Sequence, residues 1–154
     1  MACTKEKIAE IRERFIEQMG LVTQAEGLPR IAGRLMGLMM FDGREYSFSE
    51  LADELKISRG SVSANTRLLE EKGVIERVSK PGERQDYFRL AGNPLETLLR
   101  NLERKALRAR AVIAETIDAL PPEELECRTR LRRAEEFYEA MRDLVRAVEM
   151  RCFR

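Results

Sequence analysis

The chain has 154 residues, with 28 Lys and Arg against 27 Asp and Glu, no histidine, and a net charge of +1. That length suits one domain with helical extensions. The missing histidine removes every catalytic scheme built on a histidine base, and three widely spaced cysteines (Cys3, Cys127, Cys152) with no CxxC pair provide neither a disulfide framework nor a thiolate zinc site. No catalytic residue, metal ligand or cofactor is assigned.

No run of about 18 apolar residues is present, so no membrane span is expected. The charged opening MACTKEKIAE lacks the apolar core of a signal peptide. A cytoplasmic protein is expected.

From about Lys5 to Gln24, apolar residues fall at Ile8, Ile11, Phe15, Met19 and Val22, in steps that make one helical stripe. Thr4 is the expected N-cap. Gly27 ends the segment, and Pro29 opens a second helix, PRIAGRLMGLMMF, that is apolar on most sides. Gly33 and Gly37 each cost a helix about 1 kcal/mol relative to alanine, so close packing against another backbone is expected there. Asp42-Gly43 reads as a turn.

Ser49 is the expected cap of a short helix with Leu51, Ala52 and Leu55 on its apolar side, and Ile57 sits under the following turn. Ser58 caps the next helix, which runs to Lys72 and stops at Gly73, where a left-handed residue closes it. Val74-Ile75 starts a strand, Pro81-Gly82 turns it, and Tyr87-Phe88 lie on the return strand. Asn93-Pro94 opens a long helix that carries an apolar stripe to Leu120. Pro121-Pro122 breaks it, and a last amphipathic helix from about Glu123 carries Leu131, Ala134, Phe137, Met141, Leu144, Val145 and Val148.

The order helix, turn, helix, two-stranded hairpin over Ser49 to Leu90 is that of a winged helix-turn-helix. The expected fold class is therefore mainly α (α+β), a winged helix-turn-helix with N- and C-terminal helices forming a helical dimerisation region. The stripes of the terminal helices have no sheet to cover and need each other or a second subunit. The expected division is an N-terminal dimerisation helix over 1–28, a DNA-binding winged helix over 29–92, and a C-terminal dimerisation and effector region over 93–154.

Placing Val62 at the centre of the buried side of the second helix brings Thr66 and Leu69 beside it, at about 100° per residue. Gly60, Ala64, Arg67, Leu68 and Glu71 then face outward, with Ser61, Ser63 and Asn65 on the flanks. Small outward residues let the backbone approach base edges. Ser61, Ser63 and Asn65 can donate to and accept from bases or phosphates, and Arg67 can reach guanine or a phosphate. Ser58 and Arg59 stand at the helix N-terminus, which attracts phosphate.

In the wing, Arg84 suits the minor groove and Lys80 a phosphate; Arg77 and Arg89 could reach the DNA backbone. Each reading has a plainer counterpart. Arg67 could pair with Glu70 or Glu71, Arg84 could be a solvated turn residue, and a winged helix can bind protein instead of DNA. Leu68 could touch a thymine methyl or pack on the wing. Residues 49–90 hold eight acidic and eight basic residues, so any DNA reading rests on where the charges sit, not on their sum.

SxGSVSxNxRxLExxG followed by GERQDYF resembles the MarR superfamily of bacterial and archaeal transcription regulators, and GLPRIAGRLMGLMMF is similar to its GbsR-like branch. The resemblance runs from about Phe15 to Leu90; the C-terminal helices match only in pattern. It implies a homodimeric repressor or activator on double-stranded DNA, with recognition helices in major grooves about 34 Å apart on a near-palindromic operator. The family's contact residues fall on Ser61, Ser63, Asn65 and Arg67, and its wing arginine on Arg84. Thr66 stands where the family usually places leucine, and Ala64 where a longer side chain is common.

The resemblance also leaves room for a small-molecule effector of unknown identity. A choline-type ligand is not carried over, because the chain has no tryptophan and its effector-side aromatics are Phe15, Phe137 and Tyr138.

Three further groups have an ordinary and a functional reading. Cys3, Cys127 and Cys152 are idle thiols or include a redox sensor. Met36, Met39 and Met40 are core or line a ligand pocket. Arg128, Arg130, Arg132 and Arg133 are a solvated face or touch DNA or an acidic partner.

Overall fold

The computed structural model describes residues 2–153, with side chains from residue 4 onward. Its elements are α1 (Ala2–Ala25), α2 (Arg30–Asp42), β1 (Tyr46–Ser47), α3 (Phe48–Leu55), α4 (Arg59–Glu71), β2 (Ile75–Ser79), β3 (Asp86–Leu90), α5 (Pro94–Ala119) and α6 (Leu125–Cys152). They form two compact units, Met1–Pro94 and Leu95–Arg154. The fold is mainly helical with one small antiparallel sheet, as expected from the sequence.

The first unit is built around α2. Leu35, Leu38 and Met39 are buried there with Leu51, Leu55, Val62, Leu69, Val74, Ile75 and Phe88 from the elements around them. Contact with α1 on one side and α4 on the other explains why α2 is apolar nearly all round. The two glycines are where α1 comes closest. A Cβ on Gly33 would lie 2.5 Å from the Met19 carbonyl oxygen and 2.5 Å from Thr23 Oγ1, and one on Gly37 would lie 3.0 Å from Met19 Cβ. The expected close packing is therefore present, and α1 meets α2 through Ile16, Gly20 and Thr23, all buried.

Only the middle of the expected stripe of α1 meets α2, through Met19 and Phe15. Ile8, Ile11 and Val22 are about half exposed. Phe15 rests 5.9 Å from the Phe41 ring, centroid to centroid. Gly20 on α1 and Gly33 and Gly37 on α2 let the backbones meet, while Ile8, Ile11 and Val22 lie to one side of that contact.

A polar clamp fixes the same pair of helices to the helix-turn-helix. Arg12 Nε donates to Asp42 at 2.8 Å, and its Nη2 donates to Asp42 at 2.6 Å and to Glu54 of α3 at 2.8 Å. Tyr46, fully buried, donates its hydroxyl to Asp42. The Arg12 hydrogen bonds hold the Asp42 carboxyl below its ordinary range and raise Arg12 above its own. Burial, and then the bond to Asp42, push the Tyr46 hydroxyl up.

Local signals differ from expectation at three points. Helix α1 begins at Ala2, so Thr4 lies inside it and does not cap it; no breaking residue precedes Thr4 to stop the helix there. The cap of α3 is Ser47, not Ser49. Its hydroxyl accepts from the Glu50 N–H at 3.2 Å while the Glu50 carboxylate accepts from the Ser47 N–H at 2.7 Å, a complete capping box. The sheet has three strands in the order β1-β3-β2, because Tyr46 and Ser47 pair with Phe88 and Tyr87 ahead of the helix.

Elsewhere the punctuation holds. Gly43 and Gly73 have φ of 63° and 68°, and the Gly73 and Val74 N–H groups donate to the Glu70 and Leu69 carbonyls.

In the second unit α5 and α6 run antiparallel, held by ion pairs Glu103–Arg146 at 2.8 Å, Arg110–Glu135 at 3.5 Å and Arg100–Glu149 at 3.7 Å. Arg128 donates to the Ile117 and Leu120 carbonyls, both at 2.9 Å, closing the end of α5. Buried apolar side chains among its described residues are Ala106, Ile117 and Val145.

Two stability predictions follow from these contacts. Gly33→Ala should lower the urea midpoint by the equivalent of about 3 kcal/mol, since neither backbone can yield. Asp42→Asn should cost about 1–3 kcal/mol at pH 7. The Asp42 carboxyl is depressed in the folded chain, so its contribution is full above its ordinary value of 3.8 and is lost as pH falls through the folded value. The gap in urea midpoint between wild type and Asp42→Asn should therefore close in acid.

Candidate nucleic-acid interface

The turn between α3 and α4 is three residues long. Lys56 adopts a left-handed φ of 52°, the Ile57 N–H donates to the Ala52 carbonyl at 3.0 Å, and Ser58 caps α4. The Ser58 hydroxyl accepts from the Ser61 N–H at 3.1 Å and lies 2.9 Å from the Ser61 hydroxyl, so the first turn is tied by two serines. Arg59 is exposed and reaches the Ser49 hydroxyl at 3.4 Å.

Val62, Thr66 and Leu69 are buried, as the helical spacing requires, and this orients the rest of α4. Gly60, Ala64, Arg67 and Glu71 are exposed; Ser61, Ser63 and Leu68 are half-buried. Arg67 has no hydrogen-bond or ion-pair partner among the described residues. Glu70, one of its two candidate partners along the helix, is taken instead by Arg77 at 3.1 Å.

Asn65 turns inward. It is 7% exposed, its amide nitrogen donates to the Ser61 carbonyl at 2.8 Å, and its buried amide oxygen has no partner among the described residues. Thr66 also bonds back along the helix, to the Val62 carbonyl at 2.9 Å. A hydroxyl at a buried helix position is thus satisfied locally, which is how threonine fills a site suited to leucine.

The wing is braced from inside. Lys80 lies 3.2 Å from the Glu45 carboxylate and 3.8 Å from the centre of the Tyr87 ring, and the Glu45 bond raises its pKa. Tyr87 donates to Glu83 and accepts from Gln85 at 3.2 Å. Gly82, at φ 82°, makes the turn. Arg77 is held by Glu70 and by Asp86 at 3.0 Å, and Arg89 by Glu76 at 2.6 Å. Arg84 is exposed at the tip with no partner among the described residues.

Of the eight candidate residues, Ser58 and Arg59 are exposed at the start of α4, Arg67 is exposed on its outward side, and Ser61 and Ser63 are half-buried on its two flanks. Lys80 and Arg84 lie on the wing, and Asn65 lies behind. Sequence reasoning missed the Glu45–Lys80–Tyr87 brace and the Arg12 clamp. Neither has a local signal, because Glu45 and Lys80 are 35 residues apart and Arg12 and Asp42 are 30 apart.

The other candidate groups settle as follows. Met39 is core, Met36 is half-buried and Met40 is partly exposed. Cys127 is half-buried and Cys152 exposed, both as free thiols, while the Cys3 side chain lies outside the described residues. Arg130 pairs with Glu126. No helix of the described residues is long and apolar enough to cross a membrane.

A helix-turn-helix followed by a braced β-hairpin, with cations left unpaired on the second helix and at the hairpin tip, defines a winged-helix protein. Residues 26–85 match the MarR family. Over 105 residues, 68% of this chain, the sequence is 40% identical to the HTH-type transcriptional regulator MmpR5 of Mycobacterium tuberculosis (strain H37Rv). It is 23% identical over 92 residues, 60% of this chain, to YvaV, a proposed HTH-type transcriptional regulator of Bacillus subtilis (strain 168). These matches span 61% and 52% of the two curated relatives. A solved transcriptional regulator, 32% identical, superposes with a TM-score of 0.70 over 91% of this chain and 96% of its own. The chain is thus similar to transcriptional regulators, and its helix-turn-helix lies within the residues that match the MarR family.

A Cβ at Gly60 would meet only Ser58 Oγ, at 3.8 Å. Gly60→Ala should therefore raise folding stability, by about 0.4–1 kcal/mol in urea titration, through the unfolded state. A loss of stability would show that the first turn of α4 needs glycine for its own geometry.

Proposed function

We propose that the chain is a sequence-specific DNA-binding repressor of the GbsR-like branch that acts in the cytoplasm as a homodimer on a near-palindromic operator, with room for a small-molecule effector. The observation that carries the DNA reading is the selective pairing of charge. Arg77, Arg89 and Lys80 are each neutralised by an acidic neighbour, whereas Arg67 on α4 and Arg84 at the wing tip stand exposed and unpaired among the described residues. These two positions correspond to a helix that enters the major groove and a loop that reaches the minor groove. Ser58, Arg59, Ser61 and Ser63 provide phosphate and base-edge contacts beside them. Lys80 acts mainly by holding the wing, and Asn65 would have to leave its bond to Ser61 to reach a base.

The dimer reading rests on apolar surface that the chain leaves bare. Ile8, Ile11 and Val22 recur along one side of α1. On α6, Phe137 and Leu144 are 58% and 65% exposed. A pair of long helices with three buried apolar side chains has too little core to stand alone, and patches of this kind mark association surfaces. A second copy covers them in this reading. Successive recognition helices then fall about 34 Å apart.

Arg67→Ala should weaken binding to a selected operator ten- to a hundredfold, about 1–3 kcal/mol, without changing the urea midpoint. Arg84→Ala should weaken binding and reduce the slope of log affinity against log salt by about one. Gel shift across a salt series measures both. Light scattering at micromolar concentration should give twice the chain mass, and a monomer there would rule out the dimer. If neither arginine variant altered DNA affinity, the winged helix would be a protein-binding module.

A further inference from the structure

Two residues on the outward side of α4 cannot hydrogen-bond at all. Ala64 is exposed, and Leu68, one turn further on, keeps part of its side chain in solvent. With Val62 fixed at the buried centre, Ala64 points about 160° away from it and Leu68 about 120° away, both to the solvent side. They lie about 6 Å apart along the helix axis, enough to face different base pairs. Arg67 borders them, and neither its guanidinium nor the Ser63 hydroxyl has a partner among the described residues.

In the major groove the C5 methyl of thymine is the one apolar group that projects from a base edge; cytosine offers only a hydrogen at that position, and the other groups are hydrogen-bond donors or acceptors. An apolar side chain pressed against any other edge would strip water from a polar group and return nothing. We infer that Ala64 and Leu68 read thymine methyl groups, so that each half-site of the operator carries a thymine under Ala64 and a second under Leu68, beside the base that Arg67 contacts. This rests on the proposed DNA-binding function and deepens it by naming what the helix selects.

The experiment begins with selection of duplexes from a random pool by the full-length protein. Each thymine of the selected site is then replaced singly by deoxyuridine, which keeps base pairing and every polar edge group and removes only the methyl. Wild-type protein should bind about fourfold more weakly when a contacted thymine loses its methyl. The thymine-to-uracil ratio at one position should fall to about one in Ala64→Gly, and at a neighbouring position in Leu68→Ala. Because each ratio is taken within one variant, any loss of folding cancels.

Affinity that is indifferent to uracil at every thymine would refute the inference while leaving DNA binding intact. So would a half-site without thymine, or ratios that survive in both variants. Failure to enrich any duplex would overturn the DNA-binding reading and this inference together.

Discussion

A helix has one outward face only if its other side is held, and here the burial of Val62, Thr66 and Leu69 does the holding. Those three residues lie within about two turns of one another on α4 and meet a core centred on α2. Everything read from α4 depends on that registration. A rotation of one residue, about 100°, would hide Arg67 and turn Val62 and Leu69 toward solvent. The side chains that face away are free of structural duty. Glycine, serine, alanine and arginine can sit there because none is needed for packing, and this freedom is what a binding surface requires.

The same constraint extends to α1. Gly33 and Gly37 let the α1 backbone sit almost against α2, so side-chain rearrangement cannot easily shift the two helices relative to each other. Arg12 adds direction to this packing. Its bonds to Asp42 and Glu54 join α1 to the end of α2 and to α3, and the buried Tyr46 hydroxyl completes the carboxylate's set of donors. An apolar contact alone would tolerate sliding; a fork-shaped guanidinium facing two carboxylates does not. Under the proposed dimer, α1 therefore carries the position of its partner directly to the helix-turn-helix.

Much of this was legible in the sequence, for reasons that are local. Helix ends are written in Ser58, Gly43 and Gly73, and the buried side of α4 is written in its spacing. The glycines at 33 and 37 announce a close approach, although not which helix makes it. Where the reading slipped, a longer-range or competing term decided. Ser47 rather than Ser49 caps α3 because pairing of β1 with β3 holds Ser47 extended, and the S-x-x-E pattern from 47 to 50 was the missed sign. Asn65, expected on the flank, lies only 60° from Val62 by helical angle and is buried, and its amide finds a partner in the Ser61 carbonyl. In α1 only Phe15 and Met19 of the apolar stripe meet α2, because the close approach at Gly33 and Gly37 centres on residues 16 to 23 and leaves Ile8, Ile11 and Val22 exposed. Ion pairs between residues 30 or more apart have no sequence signature at all.

The near-neutral charge of the chain shapes how it would find its site. Non-specific affinity for DNA comes almost entirely from cations that displace counterions from phosphate. Here most cations of the winged helix are already matched by acids on the same surface, so sliding along arbitrary sequence gains little. Arg67, Arg84, Lys56 in the turn and Arg59 at the start of α4 make no ion pair among the described residues, and in the proposed function Arg67 and Arg84 meet DNA together only when the helix is seated in a groove. Specific binding then rests on short-range fit and hydrogen bonds, which a wrong sequence cannot supply. The internal ion pairs that brace the wing thus have a second consequence. In the proposed function, neutralising Arg77, Arg89 and Lys80 lowers the background against which a correct site is recognised.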